Sequence, residues 1–129
     1  MSRRRTNFKR ASLTMNMLNR AALVVMPKQP YVDWANSIDG GPKLDLNDAH
    51  YEYTVYLVDN IGYDSDIPKV LKRYHTYIFE HELAAWYLDI AAWPPQRDLR
   101  TFKKWFEVKA CSVVLDLCKY RIELEEYGI

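Results

Sequence analysis

Hydrophobic and polar positions follow a strand-like pattern in two early segments of the chain. Residues 20–26 form a short β-branched run that is closed by Pro27, which is typical of a buried strand. Residues 53–58 are rich in β-branched and aromatic side chains and precede a turn rich in Asp, Asn and Gly. The pattern therefore predicts two strands.

Apolar residues recur at helical spacing in three other segments. The spacing predicts a short helix over residues 31–38 and a long helix over residues 67–89, which ends before the two prolines at 94 and 95. Asp98 can cap a third, short helix.

Residues 108–117 are largely apolar and β-branched, and residues 120–125 alternate between apolar and charged side chains, which predicts one or two terminal strands. The order of elements predicts an α+β fold, with a small sheet of three to four strands and a short and a long helix packed on one face. We expect the first strand–helix–strand unit to be a right-handed parallel crossover.

Length and composition indicate one soluble domain. The chain has 129 residues, of which 49% are hydrophobic and 27% charged, with a net charge of +1. Its longest apolar run covers residues 21–27, far shorter than the roughly 20 residues of a membrane-spanning helix. We therefore expect no membrane association.

Positive charge is concentrated at the start of the chain. Residues 1–20 hold six basic side chains and no acidic one, whereas the remainder holds 12 basic and 17 acidic side chains. We interpret residues 1–16 as a disordered or misassigned start and residues 17–129 as a single domain. A transit or signal peptide and a nucleic-acid-binding arm remain alternatives, although the acidic remainder argues against nucleic acid.

The two cysteines, Cys111 and Cys118, are seven residues apart. Their separation would be about 10 Å in a helix or about 23 Å in a strand, beyond the ~7 Å that a disulfide tolerates. We expect reduced thiols and a cytoplasmic location.

Four residues of the predicted long helix share one stripe, namely His75, Glu82, Trp86 and Asp89. His75 and Glu82 are weak candidates for a metal or acid–base site, with a solvated polar edge as the alternative. No cofactor is predicted, because no phosphate loop or nucleophile elbow is present and His81 lacks the second histidine of a zinc-protease helix.

Lys28, Asp33 and Trp34 follow the first predicted strand and form a second candidate site. Lys28 could hold an anionic group, and Trp34 could stack on a flat one, if ligands gather at the carboxyl end of a crossover strand. The alternative is an ordinary strand-to-helix turn in which Asp33 or Gln29 acts as a cap and Trp34 packs inward.

Aromatic residues are abundant, with ten Tyr, four Trp and four Phe. Trp86 and Trp93 lie around the predicted end of the long helix, and Trp93 directly precedes two prolines, which favours exposure. The sequence therefore predicts an aromatic binding surface there, with core packing as the alternative.

Three segments resemble those of a family of small uncharacterised bacterial proteins. They are NRAALVVMPKQPYVDW at residues 19–34, IFEHELAAW at residues 78–86 followed by Trp93-Pro94, and WFEVKACSVVLD at residues 105–116. The resemblance covers roughly residues 17–125 and leaves out the basic start. It implies a bacterial cytosolic domain and assigns no site.

The leading functional hypothesis is a small binding or protein-interaction domain without catalysis of its own, with a protein partner or a homodimer. The alternative is a small, metal-assisted enzyme with a site near Lys28, Asp33, His75 and Glu82. A second alternative is nucleic-acid binding through the basic arm.

Overall fold

The computed structural model describes residues 14–48, 50–62 and 66–128. In chain order the elements are β1 (Asn16–Met17), β2 (Ala21–Pro27), α1 (Gln29–Ser37), β3 (Thr54–Val58), α2 (Asp66–Trp86), a 3-10 turn (Ile90–Ala92), α3 (Leu99–Trp105), β4 (Phe106–Cys111) and β5 (Leu115–Asp116). The predicted boundary between residues 16 and 17 falls inside β1, and the basic residues 3–10 lie outside the described part.

The main sheet has three antiparallel strands in the order β3-β2-β4. Leu23 of the central strand β2 lies opposite Tyr56 on one side and Ala110 on the other. Because side chains alternate along a strand, these three residues face the helices. β1 and β5 form a separate two-stranded ladder.

The core lies between the helices and one face of this sheet. Its largest fully buried side chains are Phe79, Phe102, Leu23, Leu83 and Val25. The apolar stripe of α2 supplies Phe79 and Leu83, and Phe102 comes from α3. The predicted α+β fold, with a small sheet and helices, is therefore confirmed.

Helix boundaries follow local capping. Asp98 caps α3, because its side chain accepts a hydrogen bond from the Thr101 backbone N–H at 2.9 Å. Hydrogen bonds from the Thr101 side chain and backbone lower the pKa of the Asp98 carboxyl. The long helix ends at Trp86, earlier than predicted, and Asp89 caps the 3-10 turn that follows.

Within the described ranges, no helix combines the length and apolar character needed to cross a bilayer.

The predicted parallel crossover is wrong. β3 pairs with β2 in antiparallel fashion, and its first residue, Thr54, lies opposite Val25 near the end of β2. The Asn36 side chain contacts the Leu44 backbone N–H at 2.6 Å and the Leu44 carbonyl at 3.1 Å. The loop between α1 and β3 is therefore held against α1, and β3 begins beside the C-terminal end of β2.

The predicted terminal strand over residues 120–125 is not formed. β4 ends at Cys111 and β5 covers only Leu115–Asp116, while residues 119–128 carry no regular structure and are exposed. The alternation in this segment therefore has no strand partner in the structure.

Candidate functional site

The most concentrated polar cluster joins β3 to α2. Tyr56 lies on the helix-facing side of β3, and its hydroxyl donates a hydrogen bond to Glu82 Oε2. The same hydroxyl oxygen is 2.7 Å from His81 Nδ1. We call Tyr56, His81 and Glu82 the buried cluster.

Glu82 is the one charged residue that is buried among those described, with 5% of its surface exposed. His81 Nδ1 lies 3.7 Å from the Glu82 carboxylate. Tyr56 has one hydroxyl proton and gives it to Glu82, so it must accept from His81, which places a proton on Nδ1. The hydrogen bonds therefore run from His81 through Tyr56 to Glu82.

Neighbouring tyrosines complete the surroundings of Glu82. Tyr31 donates its hydroxyl to the Glu82 backbone carbonyl at 2.6 Å. Burial, and then the charge of Glu82, raise the pKa of Tyr31 and of Tyr56 well above the usual range and raise the pKa of Tyr51 to about 12. These phenols therefore stay protonated at neutral pH and act as hydrogen-bond donors rather than as nucleophiles.

Glu82 is a weak metal or acid–base candidate by sequence, with a solvated polar edge as the alternative, and its burial shows that this alternative is wrong. Neither Tyr56 nor His81 was predicted as a partner of Glu82. Glu82 lies one turn after Ile78 and Phe79, both buried. That position on the apolar stripe marks Glu82 as buried, because a carboxylate there needs a donor from a packed neighbour. The partner strand could not be identified from the helix alone.

The other members of the predicted stripe lie apart from Glu82. His75 Nδ1 lies 3.1 Å from the Leu71 carbonyl, and its ring packs edge-on against Phe102. Asp89 lies beyond α2 and caps the 3-10 turn. Within the residues that the structure describes, no three His, Cys, Asp or Glu side chains are grouped so as to hold a metal ion.

The predicted site at Lys28 and Asp33 has the local structure of a strand-to-helix turn. Lys28 Nζ donates to the Lys103 carbonyl at 2.9 Å, and Gln29 donates to Asp33 at 2.8 Å. The Lys28 backbone occupies the N-cap position of α1. Both candidate polar groups are thus engaged within the protein, and the sheet beside them is antiparallel, so the rule for ligands at crossover strands does not apply.

The tryptophans hold the end of α2 against α1. Trp34 Nε1 donates to the Ala92 carbonyl at 2.8 Å, Trp86 Nε1 to the Ala35 carbonyl at 3.1 Å, and Trp93 Nε1 to the Tyr87 carbonyl at 2.8 Å. The predicted exposure of Trp93 is wrong, since 9% of its surface is exposed. Its indole has a backbone acceptor inside the fold, which makes burial favourable.

Apolar exposure near Trp93 comes from its neighbours instead. Leu88 and Ile90 are exposed, and with Ala84, Glu80 and Trp93 they line a shallow groove of about 240 Å³. Arg97 contacts two of these residues, with its guanidinium 5.7 Å from the Trp93 ring centre and its Nε 3.5 Å from the Glu80 carboxylate.

The outer face of the sheet, opposite the helices, is also apolar. On the edge strand β3, 55% of Val55 and 51% of Leu57 are exposed, although both residues lie within the ladder. Val24 and Met26 of β2 lie beside them on the same face. We call this surface, with Glu107 and Lys109 of β4, the open face.

Comparisons with protein-family models, with curated proteins and with solved structures found no match to this chain. The resemblance to small bacterial proteins therefore stays a prediction.

Proposed function

We propose that the protein is a small interaction domain whose function is binding, and that its open face binds a second copy of the same chain. The observation that carries this proposal is the half-exposure of Val55 and Leu57 within a sheet whose other face is covered by helices. Apolar side chains that stand together on a strand gain free energy when another surface removes them from water.

The pattern of residues on the open face is self-complementary. The strand registers place Val55, Val24 and Lys109 in one row across the sheet, and Met26 and Glu107 in the next row. Glu107 and Lys109 are therefore two residues apart on the same face of β4, and their positions along the strand are separated by about 7 Å.

A two-fold axis placed between these two rows brings each row of one copy against the other row of its partner copy. If the axis lies in the interface and runs perpendicular to the strands, each Lys109 faces Glu107 of the other copy, and Val24 faces Met26. Opposite charges then meet twice at one end of the contact, and apolar side chains meet beside them. This charge complementarity favours a second copy over an unrelated partner.

The size of the face predicts a weak dimer. Three strands of about six residues present roughly 300 Å² in plan, below the about 800 Å² per partner of a standard stable interface. We therefore expect a monomer at low micromolar concentration and a dimer at high micromolar concentration.

Sedimentation equilibrium of the full chain, over that concentration range, tests the proposal. Lys109→Glu should weaken dimerisation by roughly 3- to 30-fold, because it creates two like-charge contacts, each worth up to about 1 kcal/mol. The exchange Glu107→Lys with Lys109→Glu should restore dimerisation, since every contact then regains opposite charges.

Lys104→Glu is the matched control, because Lys104 is exposed on α3 and undergoes the same charge change. Circular dichroism of each variant checks that the fold is kept. A wild-type chain that stays monomeric throughout, or a Lys104→Glu effect equal to that of Lys109→Glu, would refute the proposal.

The cellular location of the protein is a further part of this proposal. Cys111 and Cys118 are both free and exposed. Exposed thiols without a disulfide support a reducing environment, so we propose a cytoplasmic protein, and bacterial origin follows from the resemblance alone.

A further inference from the structure

We infer that the outer surface of the helix layer binds single-stranded nucleic acid, through basic side chains of α2 and α3 and an exposed tyrosine ring on α2. We call this surface the basic surface, and it consists of Lys69, Lys72, Arg73, Tyr77, Arg100, Lys103 and Lys104. The helices cover the side of the sheet opposite the open face, so this function is separate from the proposed dimer and needs no second copy.

Basic residues are segregated from acidic ones on these two helices. Residues 67–79 of α2 and 99–105 of α3 contain six lysine and arginine side chains and no Asp or Glu, and all six are exposed. Seven of the 17 acidic residues lie in two other segments, 39–52 and 119–128. The net negative charge of residues 21–129 is therefore an average that conceals a locally positive surface, and such a surface attracts polyanions.

Several of these charges lie where they disfavour the helices that carry them. Lys69 and Arg73 are four residues apart on α2, and Arg100 and Lys104 are four apart on α3. Like charges at this spacing repel each other. Lys69 also lies in the first turn of α2, where the positive end of the helix dipole disfavours a cation. Because an anion relieves both effects, a bound polyanion would stabilise the two helices.

The basic residues of α2 and α3 flank one contact between the helices. The Phe102 ring centre lies 5.9 Å from that of Phe79 and 6.3 Å from that of His75. Lys72 is three residues before His75, so it lies on the side of α2 that faces α3. Lys103 directly follows Phe102. The positive charge of the two helices therefore forms one surface.

Tyr77 adds an aromatic ring to this surface, and 73% of it is exposed. Lys69, Arg73 and Tyr77 follow one another at four-residue intervals, so they form one row of about 12 Å along the exposed side of α2. Arg73 is held by Asp59 at 3.1 Å and lies 5.2 Å from the centre of the Tyr74 ring. The row thus offers cations to phosphates and a ring to a base.

This combination favours a single strand over a duplex or a lipid bilayer. Stacking on Tyr77 requires an unpaired base, whereas the bases of a duplex are stacked on one another. A helix that binds a bilayer buries an apolar face in it. The apolar face of α2 is instead used inside the fold, where Ile78, Phe79 and Leu83 are buried.

Fluorescence anisotropy of a labelled oligothymidylate of about 15 nucleotides, titrated with the full chain, tests the inference. Tyr77→Ala should weaken binding by roughly 5- to 100-fold, the range for loss of one stacked base, and Tyr77→Phe should keep most of the affinity. Lys69→Gln combined with Lys72→Gln should reduce the slope of log K against log salt by about 1.4, because each phosphate contact on a single strand contributes about 0.7.

Lys43→Gln is the matched control, because Lys43 is exposed in the loop after α1 and donates to the Asn36 carbonyl. It should leave the affinity nearly unchanged, and circular dichroism checks that every variant keeps the fold. A wild-type chain that does not bind the oligothymidylate, or that binds a duplex of the same length equally well, would overturn the inference. So would affinities of Tyr77→Ala and of the double lysine variant that equal that of Lys43→Gln.

Two further outcomes are distinguished by the same variants. The basic residues at the start of the chain are present in all of them, so binding through that segment alone would survive the substitutions on α2 and would overturn the inference. Sedimentation with vesicles of phosphatidylserine and phosphatidylcholine tests a lipid surface, and vesicle binding without oligothymidylate binding would also overturn it. Sedimentation equilibrium of Tyr77→Ala should match the wild type, so that failure of this inference is distinguishable from failure of the proposed dimer.

Discussion

The Tyr56 hydroxyl reaches across the core from the edge strand to the long helix and donates a hydrogen bond to the buried Glu82 carboxylate. This bond satisfies a charge that would otherwise be strongly unfavourable away from water. It also ties β3, which has one strand neighbour in the described sheet, to the helix layer.

Removing the Tyr56 hydroxyl should destabilise the fold more than removing both polar partners. We expect Tyr56→Phe to lower the free energy of unfolding by about 1–3 kcal/mol, because Glu82 then keeps its burial and loses its donor. Adding Glu82→Leu in the Tyr56→Phe background should recover part of this loss. Urea denaturation of the two single variants and the double variant gives the coupling energy.

Tyr77→Phe serves as the reference, because Tyr77 is on the same helix and exposed. A Tyr56→Phe protein as stable as Tyr77→Phe would contradict the role of this hydrogen bond.

Alkaline pH should unfold the protein through its tyrosines. The pKa values of Tyr31 and Tyr56 are raised, and that of Tyr51 is raised to about 12, with burial as the largest cause. A pKa that is higher in the folded than in the unfolded chain stabilises the fold fully below about 10, the pKa of a free tyrosine. That stabilisation is lost as pH rises, and for Tyr51 the loss extends to about 12.

Tyrosinate absorbance and circular dichroism, recorded together against pH, measure this effect. We expect some of the ten tyrosines to ionise only as the dichroism signal is lost. Ionisation of all ten as one group near the ordinary pKa, with the fold intact, would contradict the prediction.

Much of the fold could be predicted from local patterns. β2, β3 and the helices follow from apolar spacing and capping, because residues 21–26 form an apolar run that Pro27 closes and Asp98 sits at a helix start. The strand direction could not be predicted, since it depends on the course of the loop between α1 and β3. Asn36 contacts this loop at Leu44 across eight residues, and no periodicity reveals such a contact.

The candidate site was predicted only in part, because contacts between distant segments of the chain depend on tertiary packing. Glu82 was singled out from its own helix, but Tyr56 comes from a strand 26 residues away, and its distance in space depends on the packing. Trp93 was expected at the surface because two prolines follow it, yet the carbonyl of Tyr87 offers its indole an acceptor. Pairwise contacts of this kind are set by tertiary structure.

Trp93 should prove to be a structural residue. We expect Trp93→Ala to reduce the free energy of unfolding by about 3–5 kcal/mol, as for other large aromatic residues removed from a core. Leu88→Ala, in the same groove, should change it by less than about 0.5 kcal/mol because Leu88 is 73% exposed. Thermal or urea unfolding of both variants distinguishes the two roles of Trp93. A surface role for Trp93 predicts that Trp93→Ala and Leu88→Ala both change the free energy of unfolding by equal and small amounts.

Asn36 should determine how firmly the loop before β3 is held. Its side chain accepts from the Leu44 N–H and donates to the Leu44 carbonyl, and both contacts are partly buried. Asn36→Ala leaves both backbone groups unpaired, so we expect a loss of about 1–3 kcal/mol in the free energy of unfolding. Asn36→Asp keeps the acceptor for the N–H and should lose less.

Amide exchange shows whether that loss arises in the loop. The Leu44 amide should exchange much faster in Asn36→Ala than in Asn36→Asp, while the amides of Leu23 and Val25 in the central strand should change only with global stability. If the Leu44 amide exchanges equally fast in both variants, the Asn36 acceptor does not hold the loop. The antiparallel entry into β3 would then depend on the packing of Leu44 alone, which is itself buried against the core.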